Sequence, residues 1–328
     1  MTPSPRSSPR RAPDPVRTDP LSTDWGFEAL GTVWEITTDR PLSERARAAV
    51  GAELDRIDRF WSRFRPDSTV AEMSRRAGRY RLAREDRCLL EWYRELYDAT
   101  GGAVTPLVGQ ILDDAGYDAD YSLTPDRTVP APAWDDVIDW DGTELVVRTP
   151  VLLDVGAAGK GFAVDRVASI VADHAERYLV DAGGDMVISP RDEPVRIALE
   201  HPLDPTKAIG LVELTGGALC ASAANRRVWG DWHHIVDPRT AAPTREVMAT
   251  WVYARDAMTA DGLATALFFT AATELSVLGA RHGWAPALSV GSDIAGFRFA
   301  GTDVPDHVAI RGNGVVEHTT IPGLELFV

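Results

Sequence analysis

Apolar residues along this chain change period several times, and each change marks an element. From Ser43 onward they recur at Ala46, Val50, Leu54, Ile57, Phe60 and Phe64, the spacing of one helical face, with Ser43 placed to cap its start. A second helix is expected over about Glu85 to Thr100, stopped by Gly101-Gly102. Ahead of both, Val33 to Thr37 mixes β-branched and aromatic residues as strands do. "TELVVRT" reads as a strand and "VLLDV" as a buried one, while Phe162 to Glu176 reads as a helix with Val164, Val167, Ala168 and Val171 inward. Strand signals return at "RYLVDA", "DMVISP", "VRIALE" and "IGLVELT". An Ala-rich helix begins near Thr259, and "RFAG" and "VAIRG" add late strands. Strands and helices are interspersed without the regular alternation of a doubly wound sheet, so the expected class is α+β with a mixed sheet.

The first 24 residues break this patterning. Rich in Pro, Ser and Arg, they carry too little apolar surface to offset the entropy of ordering, and a disordered arm is expected there, with one domain over 25–328. Length and an apolar fraction of 45% suit a chain that buries a sizeable core. A formal net charge of -15 argues against nucleic acid as a partner, which needs clustered Lys and Arg. No apolar run is long enough to span a bilayer, so no membrane insertion is expected. The N-terminal stretch lacks the apolar segment of a secretory signal, which points to the cytoplasm. Cys88 and Cys220 stand far apart and in no CxxC, so neither a disulfide framework nor a thiolate metal site is suggested.

Three stretches carry candidate chemistry. In "LLDVGAAGKGF" a buried strand ending at Val155 delivers a glycine-dense turn to a helix start, a geometry that aims backbone N–H groups at one point and suits an anion. Gly156, Gly159 and Gly161 would admit a phosphate closely and Lys160 would add charge. The spacing matches neither a P-loop nor GxGxxG, and a tight connection with a solvated lysine fits the same letters. In "DAMTADGLATALFF", Asp256 and Thr259 read as caps, and Asp261 and Thr265 lie four apart on one helical face. Those two offer hard oxygen ligands suited to Mg²⁺, or else a back-bonding threonine and a carboxylate serving the helix start. In "DWHHIVDPRTAAP" the extended backbone points His233 and His234 oppositely, so both cannot ligate one metal. One histidine as a base and a plain strand entering an Asx turn at Asp237 both remain open.

Taken in order, "DVGAAGKGFAVD", "LVDAGGD", "CASAAN", "HHIVDPRTA" and "DAMTADGLATAL" resemble the motifs of the ApbE family, the FAD:protein FMN transferases. The likeness reaches back to Leu30–Thr32 and to "TGGAVTPLVG", Thr100 to Gly109, so it covers nearly everything after the arm. It implies the family's α+β fold, with a mixed, largely antiparallel sheet and flanking helices. It also implies Mg²⁺-dependent transfer of the FMN half of FAD to a threonine or serine hydroxyl of an acceptor protein, with release of AMP. Hydrolysis of FAD to FMN and AMP, or FAD binding without catalysis, are the alternatives.

Matched residue by residue, the resemblance implies Asp261, Thr265 and the backbone carbonyl of Gly159 as metal ligands. Leu30, Ala103, Val104, Thr105, Lys160, Phe162 and Asp165 fall at positions around the flavin nucleotide, and His234 is the candidate general base. Four positions depart from the family pattern. Thr105 replaces an aspartate, Ser222 stands in a threonine's place within "ASAA", Gly159 replaces an alanine, and Gly262 does so inside the helix of Asp261. The last is expected to cost about 1 kcal/mol of helix propensity.

Overall fold

The computed structural model describes residues 23–202, 204–271, 274–275, 285–291, 309–311, 315–316 and 325–326. Residues 1–22 of the expected arm and the strand expected at "RFAG" lie outside the described residues. In chain order the strands are β1 (Thr23–Ala29), β2 (Thr32–Thr38), β3 (Gly78–Arg81), β4 (Ile138–Trp140), β5 (Glu144–Val147), β6 (Tyr178–Asp181), β7 (Met186–Ile188), β8 (Val195–His201) and β9 (Asp204–Leu214). They continue with β10 (Gly217–Ala223), β11 (Val228–Trp229), β12 (Trp232–His233), β13 (Val236–Asp237), β14 (Ala242–Pro243), β15 (Val247–Ala254), β16 (Ala285–Gly291), β17 (Ala309–Arg311), β18 (Val315–Val316) and β19 (Glu325–Leu326). The helices are α1 (Glu44–Trp61), α2 (Thr69–Met73), α3 (Arg87–Ala99), α4 (Gly109–Asp114), α5 (Trp134–Val137), α6 (Gly159–Ala172) and α7 (Ala257–Ala266).

A nine-stranded sheet in the order β1-β2-β6-β7-β10-β15-β16-β17-β18 forms the centre, and only its β16–β17 pair is parallel. The α+β class and the largely antiparallel sheet are therefore as expected. Both faces of the sheet are covered, and the period of two sorts its side chains between them. Val180, Ala218, Cys220 and Val252 belong to the core beneath α1, α3, α6 and α7. Their neighbours Leu179, Leu219 and Trp251 belong to a second core, closed by Val195, Ile197, Ile209 and Val212 of the β8–β9 ribbon. The chain thus stacks three layers: helices, central sheet and ribbon.

Local expectations hold where side-chain spacing decides them. Ser43 caps α1, its side chain accepting from the Ala46 N–H at 3.2 Å, and Ala46, Val50, Leu54 and Ile57 are buried. That helix ends at Trp61, so Phe64 lies beyond it. The helix at Phe162 begins three residues earlier, at Gly159, and ends at Ala172. "VLLDV" is buried at Val151 and Leu153 but forms no strand. Its N–H groups bond outside any sheet, Val151 to the Met73 carbonyl at 3.0 Å and Asp154 to that of Pro106 at 2.8 Å. Apolar content predicted its burial, and the partners available to its backbone kept it out of the sheet.

Candidate active site

α6 and α7 lie antiparallel with their amino ends exchanged against each other. Asp165 of α6 accepts from the Ala257 and Met258 N–H groups of α7, both at 2.8 Å. In return, Asp261 Oδ2 of α7 accepts from the Gly161 N–H at 2.9 Å. Each helix supplies a carboxylate to the other's unsatisfied, positively polarised end, the arrangement a helix dipole favours. Gly161 permits the approach, because a Cβ there would overlap the Ala257 carbonyl. Asp261 therefore serves a helix start, one of the two roles its spacing allowed, but the start belongs to the other helix.

This pairing brings oxygen donors together from distant parts of the chain. Thr265, one turn after Asp261, faces the Ala157 carbonyl at 3.4 Å and the Ser222 hydroxyl of β10 at 3.5 Å. It does not bond back to its own preceding turn. The carbonyl brought to Thr265 is that of Ala157, not of Gly159. Gly159 is the first residue of α6.

The turn before α6 is not a nest of free amides, one of the two readings its glycines allowed. The Gly156 N–H donates to Asp154 Oδ1 at 2.6 Å, and the Ala157 and Ala158 N–H groups donate to Tyr93 Oη at 3.1 and 3.2 Å. The Gly159 N–H donates to the Val155 carbonyl at 2.7 Å and that of Gly161 to Asp261. With those donors engaged, the turn offers an oxygen outward, which suits a cation better than a phosphate.

Charge in the pocket is concentrated and buried. The Lys160 ammonium is ion-paired with Asp185, a fully buried carboxylate in the β6–β7 hairpin, whose other oxygen accepts from the Ala221 N–H at 3.3 Å. Burial opposes the Lys160 charge, but Asp185 and Asp261 more than offset that and hold its pKa above the usual value. Burial and the nearby Asp185 hold Asp261 well above the ordinary carboxylate range, against the pull of Lys160 and the Gly161 N–H. Asp165 is pushed up to about 7 by burial despite its two amide bonds.

The two histidines have different surroundings: β12 ends at His233, and His234 stands in the bend that follows. His233 has both ring nitrogens engaged: Nε2–H donates to the Thr244 carbonyl at 2.7 Å and Nδ1 accepts from the Ile235 N–H at 3.2 Å. His234 Nδ1 is buried without a hydrogen-bond partner. Burial, with the charges of Arg227, His233 and Lys160, pushes its pKa down to about 3. Asp237 forms the expected Asx turn, accepting from the Arg239 N–H at 2.9 Å.

Other expected positions are placed as follows. Leu30 occupies the β1–β2 turn at φ 49°, half-buried against the helical core. Ala103, Val104 and Thr105 are buried, and the segment reaches the site turn through the bond from the Asp154 N–H to Pro106. Thr105 Oγ1 accepts from the Leu107 N–H at 3.2 Å as an N-cap, a task threonine and aspartate share. The Phe162 ring lies within the core. Gly262 is explained as well: the Trp92 indole occupies the space of a Cβ. Asp185, Tyr93 and Ala157 were not singled out by sequence reasoning. Asp185 closes the "LVDAGGD" motif and so was within reach, whereas Tyr93 looks like any inward helix position.

The ApbE family model matches residues 30–285. A FAD:protein FMN transferase of Klebsiella pneumoniae (strain 342) is 26% identical over 266 residues, covering 73% of this chain and 76% of that protein. One from Rhodobacter capsulatus is 27% identical over 290 residues, covering 81% of this chain and 55% of that protein. The ApbE protein of Thermotoga maritima superposes with a TM-score of 0.71 at 25% identity, covering 82% of this chain and 94% of that one. The apo flavinyl transferase ApbE of Pseudomonas stutzeri gives a TM-score of 0.65 at 23% identity, covering 80% and 91%. With a family model spanning well over half its length and the same fold in solved relatives, this chain belongs to the ApbE family.

Proposed function

We propose that this protein transfers the FMN moiety of FAD to a threonine or serine hydroxyl of an acceptor protein, releasing AMP, with Mg²⁺ at the α6–α7 junction. The observation that carries the reading is the convergence of Asp261, Thr265 and the Ala157 carbonyl beside Lys160 in a chain of this family. Among the described residues no group of three or more His, Cys, Asp or Glu gathers to hold a metal. The donor set is instead a carboxylate, a hydroxyl and a peptide carbonyl, all hard oxygens. Mg²⁺ accepts such a partial set because substrate phosphates and water complete its octahedron. The junction also favours positive charge, since Asp185 and Asp261 are both buried and only Asp185 is ion-paired.

When bound, the cation supplies charge neutralisation at the phosphoanhydride and at the departing AMP. The chain's own residues do the rest. Asp261, fixed by the Gly161 N–H, and Thr265, set against the Ala157 carbonyl, would hold the metal. Lys160 presents its ammonium to the nucleotide phosphates. His234 is neutral at physiological pH and keeps an unpaired Nδ1, so it can accept the acceptor hydroxyl's proton; a nearby anionic substrate raises its basicity. Leu30 and the 103–105 segment would contribute to the flavin nucleotide's binding surface, whereas Asp165 acts by capping α7.

The test is incubation with FAD, Mg²⁺ and a cytoplasmic extract, followed by flavin fluorescence on a denaturing gel and assay of AMP. A covalent flavin band with stoichiometric AMP is the expected result. AMP and free FMN without a band would establish hydrolysis instead, and intact FAD would leave only binding.

A further inference from the structure

Two buried carboxylates, Asp185 and Asp261, act on the charge of Lys160, but it is ion-paired with only the first. Its ammonium pairs with Asp185, while its neighbour along the chain, Gly161, donates to Asp261. The Lys160 side chain therefore springs from a backbone already anchored at the proposed metal ligand. Lysine's stem is flexible, and a buried ammonium without a partner is strongly disfavoured, so release from Asp185 would turn it toward another carboxylate. Asp261 is the other carboxylate whose charge acts on it, and it is bonded to the N–H of the next residue.

Asp185 is well built to prevent this. Its side chain is fully buried, and its other oxygen is tied to the Ala221 N–H of β10. The turn that carries it is closed by the bond from the Ala182 N–H to the Asp185 carbonyl at 2.9 Å and by that from the Gly184 N–H to Asp181 Oδ1 at 2.9 Å. Gly183 and Gly184 take the positive φ values, 67° and 102°, that this tight hairpin requires. On the same strand, Ser222 follows Ala221 and faces Thr265. Asp185 thus holds the ammonium from the sheet, and Asp261 is left to the Gly161 N–H.

We propose that Asp185 is a positioning residue that holds Lys160 off Asp261 and so keeps the α6–α7 junction free for a divalent cation. The inference rests on the cation site proposed above. Its signature is a rescue that a purely structural role would not produce.

Mn²⁺ alone, titrated into the full chain and followed by the paramagnetic signal of free Mn²⁺, is the probe. Asp185→Asn keeps an oxygen for the Ala221 N–H but loses the ion pair, and its Mn²⁺ Kd is expected to rise about tenfold or more as Lys160 occupies Asp261. Adding Lys160→Met removes the competitor, and the double variant is expected to return to within about threefold of Lys160→Met alone. An unchanged Kd in Asp185→Asn, or a double variant as weak as Asp185→Asn, would overturn the proposal. The crystal structure of Asp185→Asn without metal decides it independently. Lys160 Nζ bonded to Asp261 supports it, and Nζ elsewhere refutes it. Should the wild-type chain take up no Mn²⁺, the cation site itself fails, and the position of Nζ in that crystal then decides whether Asp185 restrains Lys160.

Discussion

Removing a single oxygen tests how the turn before α6 is held. Tyr93 sits on α3, fully buried, with its hydroxyl oxygen accepting from the Ala157 and Ala158 N–H groups at 3.1 and 3.2 Å. Tyr93→Phe leaves the ring and its packing in place. The Ala158 N–H keeps a second partner, the Val155 carbonyl at 3.3 Å, so its loss is partial. The Ala157 N–H has no such substitute among the described residues, and an unsatisfied buried donor costs about 1–3 kcal/mol. Ala157 is half-buried, which lets water recover part of that, so a total of about 1–2 kcal/mol is expected. Urea denaturation at unchanged m-value measures it. The same substitution loosens the carbonyl opposite Thr265, so Mn²⁺ affinity should fall together with stability. A stability change under about 0.5 kcal/mol, within the range of an ordinary surface substitution, would show that Tyr93 does not hold the turn.

Three further outcomes are expected. Asp261→Ala should abolish Mn²⁺ uptake and flavin transfer together, as measured by metal titration and the fluorescent band; transfer at the wild-type rate would remove this residue from the metal site. Gly262→Ala should destabilise by about 1–3 kcal/mol in urea denaturation, despite alanine's better helix propensity, because the new methyl group meets the Trp92 indole. A stabilised variant would mean that α3 and α7 are less tightly apposed. His234, depressed to about 3 when folded against an ordinary value near 6.5, binds its proton in the unfolded chain first. Stability should therefore fall as pH drops through the window from about 6.5 to 3, and His234→Asn should reduce that slope by up to about 1.4 kcal/mol per pH unit. Identical pH profiles of unfolding for the two proteins would contradict it.

Much of the fold and part of the site were legible in the amino-acid sequence, for local reasons. Ser43 caps α1 and Asp256 caps α7 because a side-chain oxygen needs only its own next few residues to find a free N–H. The order of five motifs identified the family. Two readings were decided by remote partners. "VLLDV" has the composition of a buried strand, yet Met73 and Pro106 claim its amides. The glycine turn looked open to an anion because Tyr93, some 64 residues earlier, cannot be seen from the turn itself.

The sequence by itself determined the capped and periodic helices and most long strands, that they make an α+β protein of the ApbE family, and that Asp261 and Thr265 share one helical face. Only the tertiary structure decided what surrounds that face. It put Ala157 rather than Gly159 opposite Thr265, gave each of α6 and α7 the carboxylate that satisfies the other, and paired Lys160 with Asp185. The physical reason is range. Periodicity and capping act over a few residues, whereas a buried hydrogen bond or ion pair is chosen by whatever the packed core brings within about 3 Å, irrespective of separation along the chain.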